Sequence, residues 1–135
     1  MAMDAWGSGY TSIFVFFLSV PTTLFQDYKI EQAIKRIRKF PQLLVIGVTG
    51  SFGKSSTKVY AAQILSQKFI VAKTKGTNNT PIGIANTIFS QIQKNTEVFV
   101  VEMGAYKRGE ITELCEIVQP KIGILTAVAM QHLSL

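Results

Sequence analysis

The sequence has few of the residue types on which many functional sites depend. Its 135 residues include a single cysteine, Cys115, and a single histidine. One cysteine excludes an internal disulfide framework and a zinc site built from cysteines, fits a reducing compartment, and is expected to be a small buried residue. Charged residues make up 16% of the chain and hydrophobic residues 47%, which is typical of globular or membrane-associated proteins rather than disordered ones. The length suits one ordinary domain.

Acidic residues are also scarce relative to basic ones. The chain has 14 lysines and arginines against 8 aspartates and glutamates, giving a net charge of +6. This balance favours an anionic partner, which could be nucleotide phosphate, nucleic acid or an acidic membrane surface. Nucleic acid is the weakest of the three alternatives, because the basic residues cluster on one short predicted helix without interleaved aromatic residues.

The segment 10–25 is the most apolar part of the chain, but it lacks what a clear membrane span or signal peptide needs. A span requires about 17–25 apolar residues, and Pro21 is expected to interrupt this run. A signal peptide requires a basic N-terminal region, whereas the charged residue ahead of this run is Asp4. The sequence therefore supports two interpretations equally: the segment 10–25 contacts a membrane, or it does not.

A basic amphipathic helix is predicted over 27–40. Ile30, Ile34 and Ile37 recur at helical spacing, and the other face is filled by Lys29, Lys35, Arg36, Arg38 and Lys39. Two interpretations fit this pattern. The helix is either the basic flank of a membrane contact on the cytoplasmic side, or a solvated helix packed on the domain.

From position 41 onward, short β-rich runs alternate with helical runs. The pattern predicts strands at 43–46, 69–72, 98–101 and 122–125, and helices at 54–67, 81–92 and 109–118. Such alternation predicts an α/β fold of the phosphate-loop type, with a mostly parallel sheet and helices on both faces. Because ligands of these sheets bind at the carboxyl ends of the strands, the segments after the strands are expected to line one crevice.

The segment 47–56, Gly-Val-Thr-Gly-Ser-Phe-Gly-Lys-Ser-Ser, is the strongest functional signal. Three glycines allow a tight turn whose N–H groups reach phosphate oxygens, and a helix beginning near Lys54 adds the positive end of its dipole. Lys54 is predicted to reach the β- and γ-phosphates of ATP, and the Ser55 hydroxyl to hold Mg²⁺. The usual spacing has a glycine at position 48, where this chain has Val48, so the loop is a variant with Gly50 in its interior.

Glu102 ends a buried apolar run, where a lone carboxylate is costly unless it is paired or coordinated. It is predicted to be a Mg²⁺ ligand, a helix cap, or a salt-bridge partner of Lys107 or Arg108. Glu110 lies in the first turn of a predicted helix, where an acidic residue is favoured, so it is expected to act as a cap.

Three further polar residues allow two interpretations each. Asn78 and Asn79 either form a turn or donate hydrogen bonds to a ligand in the crevice. His132, considered alone, is expected to be a surface residue, with a metal-binding or catalytic role as the alternative.

These motifs together resemble the central ATPase domain of the Mur ligase family. The resemblance covers 41–135 and rests on four segments in the family's order, at 47–57, 77–83, 102–111 and 131–133. It is strongest to the branch that adds D-alanyl-D-alanine to a UDP-linked muramoyl tripeptide. The resemblance implies an ATP-dependent amide ligase of peptidoglycan precursor synthesis. In that family ATP phosphorylates a substrate carboxylate to an acyl phosphate, which the incoming amine attacks.

The resemblance also implies roles for individual residues. Lys54 would bind the transferred phosphate and His132 a second metal ion, which makes them the expected catalytic residues. Ser55, Glu102 and His132 are the expected metal ligands. The residues expected to bind ATP are Thr49, Gly50, Ser51, Gly53, Lys54, Ser55, Ser56, Asn78 and Asn79.

The chain departs from the family pattern in several places. Ala127 stands where the family commonly has asparagine, and position 135 falls before the family's modified lysine and C-terminal domain. Segment 1–40 stands where a UDP-binding domain is usual. We therefore expect a fragment, with 41–135 a partial central domain, that is not active alone and lies in the cytoplasm or at the inner face of the plasma membrane. The alternatives are a membrane-associated nucleotide-binding module without catalysis, and a ligase similar to folylpolyglutamate or cyanophycin synthetases.

Overall fold

The structure is a computed structural model that describes residues 7–129, with side chains from residue 22 onward. Helices and strands alternate along this part of the chain. In order, they are α1 (Gly7–Ile37), β1 (Leu44–Thr49), α2 (Lys54–Leu65), β2 (Val71–Lys73), α3 (Pro81–Gln91), β3 (Val98–Glu102), α4 (Glu110–Val118) and β4 (Ile122–Leu125).

The strands form one parallel sheet in the order β2-β3-β1-β4. β1 lies between β3 and β4, and the register pairs Val48 with Glu102 of β3 and Thr49 with Leu125 of β4. This register places the carboxyl ends of the three strands side by side. The loops that follow β1 and β3, and the segment after β4, therefore begin at the same edge of the sheet.

Alternating side chains of the strands build two cores, one on each face of the sheet. Val45, Phe99 and Val101 belong to the larger core, together with residues of α3 and α4. Val48 and Val100 point to the smaller core, with residues of α2. The chain passes from β1 to the edge strand β2 and then reverses direction through β3 to β4. With right-handed crossovers, this reversal places α2 on one face and α3 and α4 on the other.

α1 is one continuous helix of 31 residues that passes through Pro21. The expectation that Pro21 interrupts this segment is wrong, because a proline removes one helical N–H donor and does not by itself have to end a helix. Ala33 and Ile37 are buried in the larger core, and Ile30 and Ile34 pack against it. The basic end of α1 is thus packed on the domain, as one of the two interpretations predicted. Among the described residues, no helix is both long and apolar enough to cross a bilayer.

Arg36 fastens α1 to the segment around α3. Its Nη2 donates a hydrogen bond to the carbonyl oxygen of Ile92 at 2.9 Å. Its guanidinium carbon also lies 5.9 Å from the centre of the Phe89 ring, within the range of a cation–π interaction. A residue predicted only as part of a basic surface therefore contributes to packing through its planar guanidinium group.

The predicted fold class, an α/β domain with a parallel sheet and helices on both faces, is confirmed. The strands and helices predicted after position 41 are all present, with shifted ends. β1 continues to Thr49 rather than ending at 46, because its ladder with β3 and β4 extends that far. Cys115, expected to be a small buried residue, is half-buried and packs against the larger core. The division of the chain at residue 40 stays a prediction.

Candidate nucleotide-binding site

The carboxyl ends of β1 and β3 form a topological switch point. The loop after β1 leads to α2 on one face of the sheet, and the loop after β3 leads to α4 on the opposite face. Because the two loops diverge, they leave a crevice between them, which is where open α/β sheets bind ligands. The crevice has a volume of about 1270 Å³, and an adjoining hollow over the start of α2 has about 480 Å³.

The glycine-rich loop enters this crevice in a conformation that requires glycine. Gly50 has φ 135° and Gly53, immediately before α2, has φ 77°. A Cβ atom at position 50 would collide with the hydroxyl of Thr126 and would lie 2.8 Å from the carbonyl oxygen of Ala127. At position 53 a Cβ atom would meet nothing within 4 Å. Gly50 is therefore needed for both conformation and space, and Gly53 for conformation alone.

The segment after β4 holds the glycine-rich loop in place. The Thr126 hydroxyl lies 3.1 Å from the carbonyl oxygen of Thr49 and 2.6 Å from that of Phe52. The N–H of Ser51 donates to the carbonyl oxygen of Ala127 at 2.7 Å. The Ser51 hydroxyl also accepts the N–H of Ala129 at 3.1 Å. These bonds fix the loop, and the loop and the segment after β4 both line the crevice.

Lys54 is the first residue of α2, and its ammonium group turns back over the loop. The Nζ atom donates to the carbonyl oxygens of Gly50 at 2.6 Å and Ser51 at 3.3 Å. The first turn of α2 contains no acidic residue, so the positive end of the helix dipole and the Lys54 charge act together. This combination provides a site for an anion such as a phosphate group.

A buried polar network links α2 to the end of β3. The hydroxyl of Ser55 donates to Oε2 of Glu102 at 2.9 Å, and Nζ of Lys58 lies 2.8 Å from the same oxygen. The N–H of Glu102 donates to the Thr74 hydroxyl at 3.0 Å. Glu102 is thus a buried carboxylate with a buried counter-ion. Its salt-bridge partner is Lys58, so the expectation of a salt bridge to Lys107 or Arg108 is wrong.

The asparagine pair lies at the opposite wall, in the loop after β2. The backbone oxygen of Asn79 accepts the N–H of Gly104 at 3.2 Å, and a Cβ atom at position 104 would lie 2.6 Å from the Asn79 side-chain nitrogen. Asn79 lines the crevice. Asn78 is exposed and lies beside Gly83 near the start of α3. The structure therefore brings one asparagine of the predicted pair to the crevice.

Glu110 is the cap of a loop rather than of its own helix. Its Oε2 accepts the backbone N–H groups of Tyr106 and Lys107. The hydrogen bond from Tyr106, followed by that from Lys107, lowers the pKa of the Glu110 carboxyl below its ordinary value. Gly109, with φ 95°, folds the loop back over the first turn of α4 and makes these bonds possible. The predicted capping role of Glu110 applies to the segment before α4.

The structure brings most of the predicted site residues to one place. Those that line the crevice or the adjoining hollow are Thr49, Gly50, Ser51, Gly53, Lys54, Ser55, Ser56, Asn79 and Glu102. His132 lies outside the described residues. Lys58, Thr74 and Thr126 take part in the site and were missed from the sequence. Lys58 could have been found, because it lies three residues after Ser55 and so shares a helix face with it.

Residues 48–135 match the family model of the Mur ligase middle domain. This chain belongs to the Mur ligase family. The match begins inside the glycine-rich loop and includes all the strands that line the crevice except the start of β1. The family resemblance of the sequence motifs is thereby confirmed.

Named relatives of this Mur ligase domain point to one branch of the family. The UDP-N-acetylmuramoyl-tripeptide–D-alanyl-D-alanine ligase of Treponema pallidum is 36% identical over 98 residues, which is 73% of this chain and 21% of that protein. The ligase of the same name from Synechocystis is 40% identical over 91 residues, 67% of this chain and 20% of that protein. The predicted similarity to the D-alanyl-D-alanine branch is confirmed.

Solved structures of this branch share the fold. MurF ligase from Thermotoga maritima, solved in complex with ADP, superposes with a TM-score of 0.73 at 35% identity and covers 80% of this chain. MurF from Acinetobacter baumannii superposes with a TM-score of 0.70 at 31% identity and covers 74%. These matches cover 25% and 22% of the two solved chains, so the Mur ligase domain described here spans about a quarter of their length.

Proposed function

We propose that this Mur ligase domain binds ATP and Mg²⁺ in the crevice and is the ATP-binding core of a ligase that builds a peptidoglycan precursor. The observation that carries the proposal is the meeting of Ser55 and Glu102, 2.9 Å apart, beside Lys54 and the glycine-rich loop. A hydroxyl and a carboxylate at the start of a helix that follows a glycine-rich loop are the groups that hold Mg²⁺ against nucleotide phosphates.

The residues at this point have the chemistry that Mg²⁺ and ATP require. Mg²⁺ prefers hard oxygen ligands and is commonly held by one or two protein groups together with substrate phosphates. Ser55 and Glu102 offer oxygen atoms of this kind. Lys54 and the N-terminus of α2 supply positive charge where the phosphates would lie, and Gly50 keeps that side of the loop free of side chains. The site therefore fits both groups.

Each residue has a role that follows from its position. Bound ATP would supply the phosphoryl group that turns a substrate carboxylate into an acyl phosphate with release of ADP, Mg²⁺ would neutralise charge on the phosphates, and an amine would then displace inorganic phosphate to form the amide. Lys54 would neutralise the transferred phosphate, and Ser55 and Glu102 would hold the cation. Asn79, on the opposite wall, would face the γ-phosphate and the substrate. Phosphoryl transfer depends mostly on positioning and charge neutralisation, and the bonds from Thr126 provide the fixed geometry.

The names of the relatives support a more specific proposal. The ligases that match this chain are named for joining D-alanyl-D-alanine to UDP-N-acetylmuramoyl-tripeptide, and we assign this reaction to the longer protein of which the domain is a core. His132 lies within the range matched by the family model, and we assign it a second metal ion. ATP and a UDP-linked substrate suit a cytoplasmic location. Contact of 10–25 with a membrane stays a prediction.

Calorimetric titration of the chain with ATP in the presence and absence of Mg²⁺ tests the nucleotide site. We expect Mg²⁺-dependent binding that weakens by about 10- to 100-fold in Lys54→Ala, because a hydrogen bond to a charged group contributes about 1.5–3 kcal/mol. Lys94→Ala is the matched control. Lys94 is an exposed lysine in the loop before β3, at the other end of the sheet, so its loss changes the net charge equally.

Equal affinities of the parent and Lys54→Ala would contradict the assignment of the phosphate site. The ligase reaction is tested by replacing the matching segment of the Synechocystis ligase with residues 41–135. We expect this chimera to release phosphate only when both the muramoyl tripeptide and D-alanyl-D-alanine are supplied, and to lose that activity with Lys54→Ala. Phosphate release that is independent of the dipeptide would contradict the proposed substrate.

A further inference from the structure

Lys58 is a buried lysine to which the proposed function gives no role. Its side chain and that of Glu102 are each 2% exposed, and the two charged groups are 2.8 Å apart. A buried ion pair is weak evidence for stability, because desolvation of the two charges offsets their attraction. An apolar pair would fill this space at less cost. The presence of Lys58 beside the proposed cation ligand therefore calls for a functional explanation.

Lys58 joins three parts of the site. It lies on α2, one turn after the glycine-rich loop, and its ammonium group bonds to Glu102 at the end of β3. The same Nζ atom donates to the carbonyl oxygen of Gly76, in the loop that carries Asn79. The bonds from Lys58 and Ser55 both end on Oε2 of Glu102, so they fix the orientation of the carboxylate.

The charges at this point determine when a cation can bind. Glu102 is paired with Lys58, and Lys54 lines the same hollow as Glu102, so the three groups sum to a positive charge. Among the described residues, no cluster of three or more His, Cys, Asp or Glu side chains could hold a metal ion. Without nucleotide, a divalent cation at Glu102 would meet a carboxylate whose charge Lys58 already neutralises. The phosphates of ATP would reverse the sign of the local charge.

We propose that Lys58 is a positioning residue that neutralises Glu102, so that a divalent cation enters the site together with the nucleotide phosphates and not before them. The inference rests on the proposed role of Glu102 as a cation ligand. By thermodynamic linkage, the cation and the nucleotide then strengthen each other's binding, and Lys58 sets how strongly they do so. The benefit is a site that discriminates against free divalent cations while retaining a well-oriented carboxylate.

The test is a titration with Mn²⁺ alone, followed by the paramagnetic resonance signal of the free ion. Without nucleotide we expect weak binding by the parent and binding at least about tenfold tighter by Lys58→Met, because a neutral side chain of similar length leaves the Glu102 charge uncompensated. Lys58→Arg keeps the charge and is expected to bind Mn²⁺ as weakly as the parent. The double variant Lys58→Met, Glu102→Gln is expected to lose the gained affinity.

A second readout covers the case in which Lys58→Met is poorly folded, since an unpaired buried carboxylate destabilises a domain. Thermal unfolding is followed by circular dichroism with and without Mn²⁺. We expect Mn²⁺ to raise the unfolding temperature of Lys58→Met, or to restore its folding, and to leave the parent and the double variant unchanged. If Lys58 had only a structural role, Mn²⁺ would not restore the stability that is lost in Lys58→Met.

Failure of this inference is distinguishable from failure of the proposed function. If the parent binds ATP with Mg²⁺ but Lys58→Met gains no affinity for Mn²⁺ and no stability from it, the role of Lys58 is overturned and the nucleotide site stands. If the parent binds free Mn²⁺ as tightly as Lys58→Met does, the inference is also overturned. If the parent binds no ATP, the proposed function fails, while Mn²⁺ binding that depends on Glu102 in Lys58→Met still supports the neutralising role.

Discussion

The loops after β1 and β3 are alike in backbone but lead into helices whose first turns are opposite in charge. Each leads into a helix through a glycine with positive φ, 77° at Gly53 and 95° at Gly109, and neither of these two glycines provides a side-chain cap. The first turn of α2 carries Lys54 and no acid, whereas that of α4 carries Glu110 and Glu113. A helix N-terminus attracts anions in both cases, but side-chain charge decides which one is available to phosphate.

The two loops also differ in how they are held. The glycine-rich loop after β1 is fastened by a neighbouring segment, through the hydroxyl of Thr126 and the backbone of Ala127. The loop after β3 has one bond to a neighbouring loop, from the N–H of Gly104 to Asn79, and its later part is fastened from within by the carboxylate of Glu110. A loop held by bonds to a neighbouring segment leaves Lys54 and the N-terminus of α2 open to a ligand. A loop that folds onto its own acidic residue satisfies the helix dipole itself and forms a wall.

The largest expected effect comes from breaking the contact between the glycine-rich loop and its neighbour. In Gly50→Ala, the new Cβ atom would collide with Thr126 and Ala127. The backbone at this position also has a φ of 135°, which residues other than glycine rarely adopt. We expect a loss of about 3 kcal/mol in the free energy of unfolding, or displacement of the loop with loss of ATP binding, because steric overlap adds to backbone strain. Chemical denaturation and ATP calorimetry measure the two outcomes.

Gly53→Ala is the matched control for this change. The backbone at position 53 also has positive φ, but a Cβ atom there would have open space around it. We expect a cost of about 1–2 kcal/mol, from the conformation alone. If the two substitutions cost the same, the contact with the segment after β4 is not what holds the loop.

A smaller effect is expected from giving α2 the charge pattern of α4. Ser56 is exposed in the first turn of α2. Ser56→Glu is expected to raise the free energy of unfolding by about 0.3–1 kcal/mol, because an acid near a helix N-terminus is favourable. The same charge is expected to weaken ATP binding by about tenfold, by repelling the phosphates. Ser56→Gln removes the same hydroxyl without adding charge, so a similar loss of ATP affinity in that variant would show that charge is not the cause.

The sequence predicts the fold and the front of the site because both depend on local patterns. Buried strands appear as apolar runs, and the turn from β1 into α2 appears as three glycines followed by Lys54 and Ser55. The approach of Ser55 to Glu102 also follows from a general rule, since parallel strands bring their carboxyl ends to one edge of the sheet. For Ser55 and Glu102, the position after a predicted strand was therefore sufficient to assign them to the site.

The supporting residues were harder to predict because their partners are distant in the sequence. Lys58 and Glu102 are 44 positions apart, and Thr126 and Thr49 are 77 apart. A lysine in a helix is ordinarily a surface residue. The spacing to Ser55 places Lys58 on the helix face of the site, but the buried carboxylate that it pairs with lies on a distant strand. Pro21 is the opposite case. The local rule that proline interrupts a helix predicted a break at this residue, whereas α1 continues through it.

The smallest expected effect concerns the self-capped loop after β3. The pKa of Glu110 is lowered by the hydrogen bonds from Tyr106 and Lys107. A carboxyl group whose pKa is lower in the folded state stabilises that state above its unfolded pKa, and this contribution is lost as the pH falls through the folded value. Glu110→Gln is therefore expected to lower the unfolding temperature slightly at neutral pH and to match the parent only once the pH has fallen below the lowered pKa of Glu110 in the folded state. Glu113→Gln removes a charge from the same turn of α4, so an equal effect in that variant, measured by thermal unfolding across pH, would assign the stabilisation to the helix dipole instead of to the loop.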